Sequence, residues 1–256
     1  MSGDAKPTVL ITGAGQRICR AIALGLGADG WAVAVHHRRS AVGAAEVAAA
    51  IEAGGGRAAT LAADLGDQGA VDALVPAAAE ALGAPLTALV NNASAFDNDT
   101  IDTLSRASWD QHLETNLWAP LALARAFAAQ LPEGAEGAVV NLLDQRVWNL
   151  TPYFLSYTVS KSALWTLTRT LALALAPRVR VNAVGPGPTL PSKRQTKAQF
   201  ERQWERMPLG RGTTPEEICD AVRYLLAAPS VTGQMIALDG GQHLGWAQPG
   251  QTVELE

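Results

Sequence analysis

Short apolar runs alternate along the whole chain with longer segments of helical period. The runs are 9–11, 31–35, 57–63, 88–90, 138–143, 179–184 and 236–238. Helical segments lie between them at about 18–28, 42–51, 71–82, 109–131 and 157–175, with Gly30 and the run Gly54-Gly55-Gly56 as stops. A strand with one wet face alternates apolar and polar residues. These runs do not, so both faces need cover, and helices on each side of a parallel sheet supply it. The expected fold is α/β, doubly wound, with a mainly parallel sheet of seven strands.

The chain has 256 residues and no internal linker, so one domain over 1–256 is expected, with tails at 1–7 and 247–256. Apolar residues make up 48% and charged ones 17%, a globular balance. The net charge of -4 offers no basic face for nucleic acid. The most apolar stretches are interrupted by Glu114, Arg125, Arg169 and Arg178, so no membrane span is expected. No signal peptide is visible, and Cys19 and Cys219 stand far apart without metal-ligand spacing; a cytoplasmic protein is expected. Segment 185–212 opens with Pro and Gly after the sixth strand and turns polar and amphipathic, the placing of a substrate lid.

Thr12-Gly13-Ala14-Gly15-Gln16-Arg17-Ile18 joins the first strand to the first helix. Glycine there lets backbone amides approach a phosphate at the helix N-terminus. The fold is then Rossmann-like. The second strand ends in His36-His37-Arg38-Arg39-Ser40. In a dinucleotide fold a carboxylate at this place selects NAD, whereas basic residues accommodate the 2′-phosphate of NADP. The expected cofactor is NADPH/NADP, held in part by Gly13, Arg17, Ile18, His37, Arg38, Arg39 and Ser40.

Tyr157 and Lys161 are spaced to share one helix face. A tyrosine with its ordinary pKa near 10 is a poor acid–base group at neutral pH. A lysine one turn away favours the phenolate and is expected to lower that pKa.

Together these motifs resemble the short-chain dehydrogenase family. The resemblance implies that Asp64-Leu65 meets the adenine, that Asn92, Ala93 and Ser94 border the cofactor, and that Pro186-Gly187 flanks the nicotinamide. It implies that Lys161 also holds the nicotinamide ribose and that Asn116 is a further catalytic member, anchoring a relay water. Three departures stand out. Arg17 and Cys19 replace two glycines of the usual turn, Ser94 ends the Asn-Asn-Ala motif, and Asp144 stands where the family has a serine. A carboxylate would repel the oxyanion of a reduced ketone but suits a ring nitrogen that must gain a proton. With Phe96 after Asn-Asn-Ala-Ser, the set resembles pteridine reductases and dihydromonapterin reductases. That likeness implies a pterin stacked by Phe96, contacts from Arg17 and Ser94, proton supply by Tyr157 or Asp144, and a homotetramer packed through the helices around 109–131 and 157–175. Trp148, Trp204 and Trp246 are secondary candidates for the pocket, with core or subunit packing the preferred role. The rival expectations are a short-chain reductase for another carbonyl or imine, and a catalytically silent NADP sensor. Silent relatives usually lose the tyrosine or lysine, and both are present here.

Overall fold

The computed structural model describes residues 6–192 and 195–245. The expected tails lie almost wholly outside these residues, as do Trp246 and residues 193–194 of the expected lid. Seven strands form one sheet: β1 (Thr8–Ile11), β2 (Ala32–His37), β3 (Arg57–Ala62), β4 (Ala88–Asn91), β5 (Gly137–Leu142), β6 (Val179–Pro186) and β7 (Met235–Leu238). Their order is β3-β2-β1-β4-β5-β6-β7, and every pairing is parallel, so the sheet is wholly rather than mainly parallel.

The helices are α1 (Arg17–Ala28), α2 (Ala41–Ala53), α3 (Gln68–Leu82), α4 (Arg106–Leu113), α5 (Ala119–Gln130), α6 (Leu155–Ala174), α7 (Lys197–Glu205) and α8 (Pro215–Ala227). Val9, Ile11, Val33 and Val35 point to one face, where Ile22, Leu26, Val47, Val222 and Leu225 cover them. Leu10, Leu89, Val139 and Val181 point to the other, against Leu74, Leu82, Leu123 and Phe127. Each such side chain, fully buried, contributes about 1.5–3 kcal/mol. The two edge strands, β3 and β7, depart most from full burial.

Two expectations need correction. The helix expected over 109–131 is broken by a π-helical turn, Glu114–Trp118, which carries Asn116. Such turns re-aim side chains inside a helix and recur at functional sites. Helix α8 was not anticipated, although Thr214-Pro215-Glu216-Glu217 forms a capping box readable from sequence.

The chain winds outward from β1 to β3, then returns to place β4 on the other side of β1. The crevice at that reversal, beyond the C-terminal strand ends, is where such sheets bind ligands. The Thr12 hydroxyl accepts from the amides of Asn92 (2.9 Å) and Ala93 (3.0 Å), which ties the two diverging strand ends together. Behind it, Asn91 donates to Asn141 (3.0 Å) and Asn141 to Thr168 (2.9 Å), a buried chain that joins β4 and β5 to α6.

Helix α2 approaches the β1–α1 turn closely enough that a Cβ on Gly43 would collide with the carbonyl oxygen of Gly15. Backbone on both sides has no rotamer with which to yield. Gly43→Ala should therefore destabilise the protein by about 1–3 kcal/mol. Gly54→Ala, at a residue with φ -79° whose nearest neighbour would lie 3.4 Å away, should change stability by less than about 0.5 kcal/mol. Urea midpoints measure both, and an equal response at the two sites would refute the packing argument.

Candidate active site

The β1–α1 turn is held from below by a histidine that was not among the sequence candidates. The Gly13 amide, at φ 70°, donates to Nδ1 of His36 (3.1 Å). With Nδ1 accepting, the ring proton sits on Nε2, which donates to the Ala63 carbonyl (3.1 Å). Burial lowers the His36 pKa to about 4, so the imidazole is a neutral strut across the ends of β1, β2 and β3. The expected His37 points away from this bond network. Its side chain is buried, with Nδ1 unpaired among the described residues.

The turn suits a dinucleotide. Helix α1 begins at Gln16 without a side-chain cap, which leaves first-turn amides for an anion. Gly15 brings the turn against Ser40, where a Cβ would lie 2.9 Å from the hydroxyl. The buried Nδ1 of His37 has capacity for a partner from a ligand. Arg38 lies 3.6 Å from Asp64, so both candidates meet at the ends of β2 and β3, while Arg39 is exposed and Leu65 is buried.

Arg17 occupies the left-handed region at φ 55°, a conformation that glycine adopts freely. Its guanidinium donates to the carbonyls of Leu190 (3.1 Å) and Pro191 (3.0 Å) across the crevice. The residue that departs from the usual glycine turn thus ties that turn to the segment after β6. Cys19 is fully buried.

At the end of β5, Asp144 caps a short 3-10 turn by accepting from the Arg146 amide (2.8 Å). Its other oxygen accepts from the Tyr157 hydroxyl (3.0 Å). Lys161 is buried one turn further along α6 and donates to the Leu142 carbonyl (2.7 Å). Burial pulls its pKa down to about 8, with Asp144 opposing. The expectation that Lys161 lowers the Tyr157 pKa is corrected here. Burial, and next the Asp144 carboxylate, hold Tyr157 well above its ordinary value of 10.0, and the cation that opposes them is Arg146. Tyr157 therefore keeps its proton at neutral pH and presents it as a donor.

Asn116 lies behind this wall. Its oxygen accepts from the Ala95 amide (2.8 Å) and the Ser94 hydroxyl (3.1 Å), and its nitrogen donates to the Ala95 carbonyl and to Ser160 (both 3.0 Å). Through these bonds the side-chain amide supports the Ser94 loop.

Phe96 stacks on Phe154 with centroids 4.7 Å apart and planes 5° apart, and meets Tyr157 edge-on at 4.7 Å. Sequence reading missed both Phe154 and Arg146. The buried guanidinium of Arg146 lies 4.7 Å over the Phe154 ring and 5.9 Å from that of Phe96. Neither residue belongs to a recognisable motif, and only the fold brings them to Phe96.

A cavity of about 560 Å³ unites most of the candidates. Arg17, Ile18, Asn92 and Ser94 line one side. Phe96, Asp144, Tyr157 and Lys161 line another, with Pro186 and Gly187 beneath the segment that carries α7. Gly13, His37, Arg38, Arg39, Ser40, Asp64, Leu65 and Ala93 do not line it. Trp204 donates to the Pro188 carbonyl (2.7 Å) and packs within the α7 segment. Trp148 is exposed and touches Trp165 and His243. Among the described residues no group of three or more His, Cys, Asp or Glu could hold a metal, and no helix is long and apolar enough to cross a membrane.

Residues 13–243 match the family described as enoyl-(acyl carrier protein) reductase, and with this fold and site the chain belongs to the short-chain dehydrogenase/reductase family. Among solved structures, it is 47% identical to FolM alternative dihydrofolate reductase 1 from Brucella canis, complexed with NADP. That match covers 97% of this chain and 98% of the other, with a TM-score of 0.90. FolM alternative dihydrofolate reductase 1 from Brucella suis, also in complex with NADP, is 48% identical over 95% of this chain and 98% of that one, with a TM-score of 0.89. Its relatives also include 3beta-hydroxysteroid dehydrogenase 1 of Eggerthella lenta, 33% identical over 93% of this chain and 94% of that protein. Galactitol 2-dehydrogenase (L-tagatose-forming) of Cereibacter sphaeroides is 36% identical over 90% and 91%.

The His36 strut has a pH signature. Its pKa falls from 6.5 to about 4 on folding, so the unfolded chain binds more protons between those values. The stabilisation is complete above pH 6.5 and is lost as pH falls toward 4, by an amount on the order of 3 kcal/mol. His36→Asn keeps an acceptor for Gly13 but does not titrate. Between pH 6.5 and 4 the wild-type stability should fall more steeply than that of His36→Asn. Parallel urea-midpoint curves would remove His36 from the account.

Proposed function

We propose that this chain is an NADPH-dependent pteridine reductase, reducing a ring C=N of a dihydropterin or dihydrofolate-like substrate. The observation that carries this reading is the Tyr157–Asp144 hydrogen bond beside the Phe96–Phe154 stack. The identity to two alternative dihydrofolate reductases that hold NADP supports it. NADP(H) is the cofactor, bound by the β1–α1 turn, by Arg38, Arg39 and Ser40 at the end of β2, and by Lys161. When bound it supplies the hydride.

The chain's own residues supply the rest. Phe96 offers a flat apolar wall to a heteroaromatic ring, and offset stacking adds about 0.5–1.5 kcal/mol beyond buried area. Tyr157 carries the proton that the ring nitrogen needs. Asp144 aims that hydroxyl and keeps it protonated until substrate accepts from it. A phenolate left beside a carboxylate is unfavourable, and Arg146 is the neighbouring cation that opposes it. A ring nitrogen is basic enough to take its proton before the hydride arrives and then builds no anion beside Asp144, whereas a weakly basic ketone oxygen would develop alkoxide charge there. Segment 185–212 acts as the lid, latched by Arg17. The assembly is a cytoplasmic homotetramer, with exposed Val159 and Leu173 on α6 and Trp118 in the π turn as candidate subunit contacts.

A second reading, reduction of a different carbonyl or imine, draws on the breadth of relatives named for a hydroxysteroid and a sugar alcohol. The two readings separate in one assay: NADPH oxidation with dihydrobiopterin, dihydromonapterin and dihydrofolate against a panel of ketones. We expect pterin turnover, with Phe96→Ala raising KM and Asp144→Ser depressing pterin turnover more than ketone turnover. Tyr157→Phe should lower kcat by about 10²–10⁴-fold. Robust ketone reduction with no activity on any pterin would establish the second reading.

Cofactor choice is tested separately. Hydrogen bonds to a charged group are worth about 1.5–3 kcal/mol each. Two of them at the 2′-phosphate should favour NADPH over NADH by about a hundredfold or more in Kd. Equal constants at one ionic strength would contradict the assignment of Arg38, Arg39 and Ser40.

A further inference from the structure

Helix α6 carries Tyr157 in its first turn, yet it has no cap of its own. Its N-cap residue, Phe154, sits in the left-handed region at φ 56° and makes no side-chain capping bond. The amides that open a helix need acceptors from elsewhere. Here a distant loop provides them. Asn98 accepts from the Phe154 amide (3.3 Å), the Asp99 carbonyl accepts from Leu155 (3.3 Å), and the Asp99 carboxylate accepts from Ser156 (3.1 Å). The Ser156 hydroxyl also donates to Asp99, as does that of Ser108 (3.1 Å).

Asp99 is only 2% exposed. Burial works against its charge, but the hydrogen bonds from Ser156 and Ser108 outweigh it and hold the carboxyl below the usual carboxylate range. A carboxylate at a helix N-terminus also complements the helix dipole. His112 completes the cluster. Its Nε2 accepts from the Asp97 amide (3.1 Å), so its proton is on Nδ1, which faces the Ser108 carbonyl and the Ser156 hydroxyl (both 2.8 Å). These groups form a Ser–His–Asp set, but the serine hydroxyl is spent on the carboxylate and no substrate could reach it.

The capping loop is also the loop that carries Phe96. Asn116 fastens it at Ala95, His112 at Asp97, and Asp99 at α6. We propose that Asp99 is a positioning residue for the reduction: by closing α6 from outside, it sets the Tyr157 hydroxyl relative to Phe96 and Asp144. The proton donor and the aromatic wall are then one rigid body. The inference rests on Tyr157 as the proton donor and not on the pterin as substrate.

The test uses the full chain with Asp99→Ala, Asp99→Asn, Tyr157→Phe and the double variant Asp99→Ala/Tyr157→Phe. Each is assayed on whichever substrate the wild type reduces fastest. A small misplacement of a reacting group costs up to about 10²-fold. Asp99→Ala should lower kcat by about tenfold or more, and Asp99→Asn by less, since its oxygen still accepts from Ser156. In the Tyr157→Phe background, Asp99→Ala should cost almost nothing further, because the group it positions has gone. Amide hydrogen exchange at residues 155–158 should quicken in Asp99→Ala while that of β1 and β2 does not. Two results would overturn the proposal: kcat and KM within about twofold of wild type in a folded Asp99 variant, or the same fold-loss with and without Tyr157. If Asp99→Ala does not fold, Asp99→Asn is judged by the same criteria. Wild-type inactivity on pterins would instead count against the substrate reading alone.

Discussion

A parallel sheet covered by helices on both faces leaves only its strand ends for chemistry, and the rest of this structure follows from that constraint. Every strand points the same way, so the C-terminal ends of β1, β2, β4, β5 and β6 deliver their following residues to one edge. That edge receives the Gly13 turn, the Arg38–Ser40 cluster, the Asn92–Phe96 loop, Asp144 and Pro186-Gly187. The reversal between β1 and β4 opens the crevice, and the Thr12 hydroxyl fixes its width by accepting from both amides of the opposing loop.

Tyr157 and Lys161 are buried at this polar edge, and that determines their electrostatics. Desolvation raises the pKa of Tyr157 and lowers that of Lys161, bringing both toward their neutral forms. Asp144 then acts on both, making the tyrosine a firmer proton holder and the lysine a firmer cation. The carboxylate accepts from the Tyr157 hydroxyl and helps it hold its proton. Arg146, buried against Phe154, balances part of the charge the carboxylate introduces.

Two cross-links govern how the crevice is shaped. Arg17 carries the strain of a left-handed residue and reaches the carbonyls of Leu190 and Pro191, so the phosphate turn and the segment above it are mechanically joined. On the other side, the 94–99 loop serves at once as aromatic wall and as the cap of α6. Phe96 and the start of α6 therefore share one support.

The seven strands, the parallel sheet, the β1–α1 turn and the Tyr157, Lys161 and Asp144 positions were all legible along the chain, because periodicity and motif spacing are local properties. Helix α8 was legible too, in its capping box, and was missed. The rest depended on contacts between distant segments. His36 rather than His37 meets the turn because adjacent strand residues face opposite ways, and the pairing of Ile11 with Val35 decides which one lies under Gly13. The stacking of Phe154 on Phe96 and the capping of α6 by Asp99 join residues 58 and 57 positions apart. The direction of the Tyr157 shift was beyond a reading by spacing. A neighbour four residues away can be named from sequence, but burial and the carboxylate that outweigh it exist only once the helix has docked against β5.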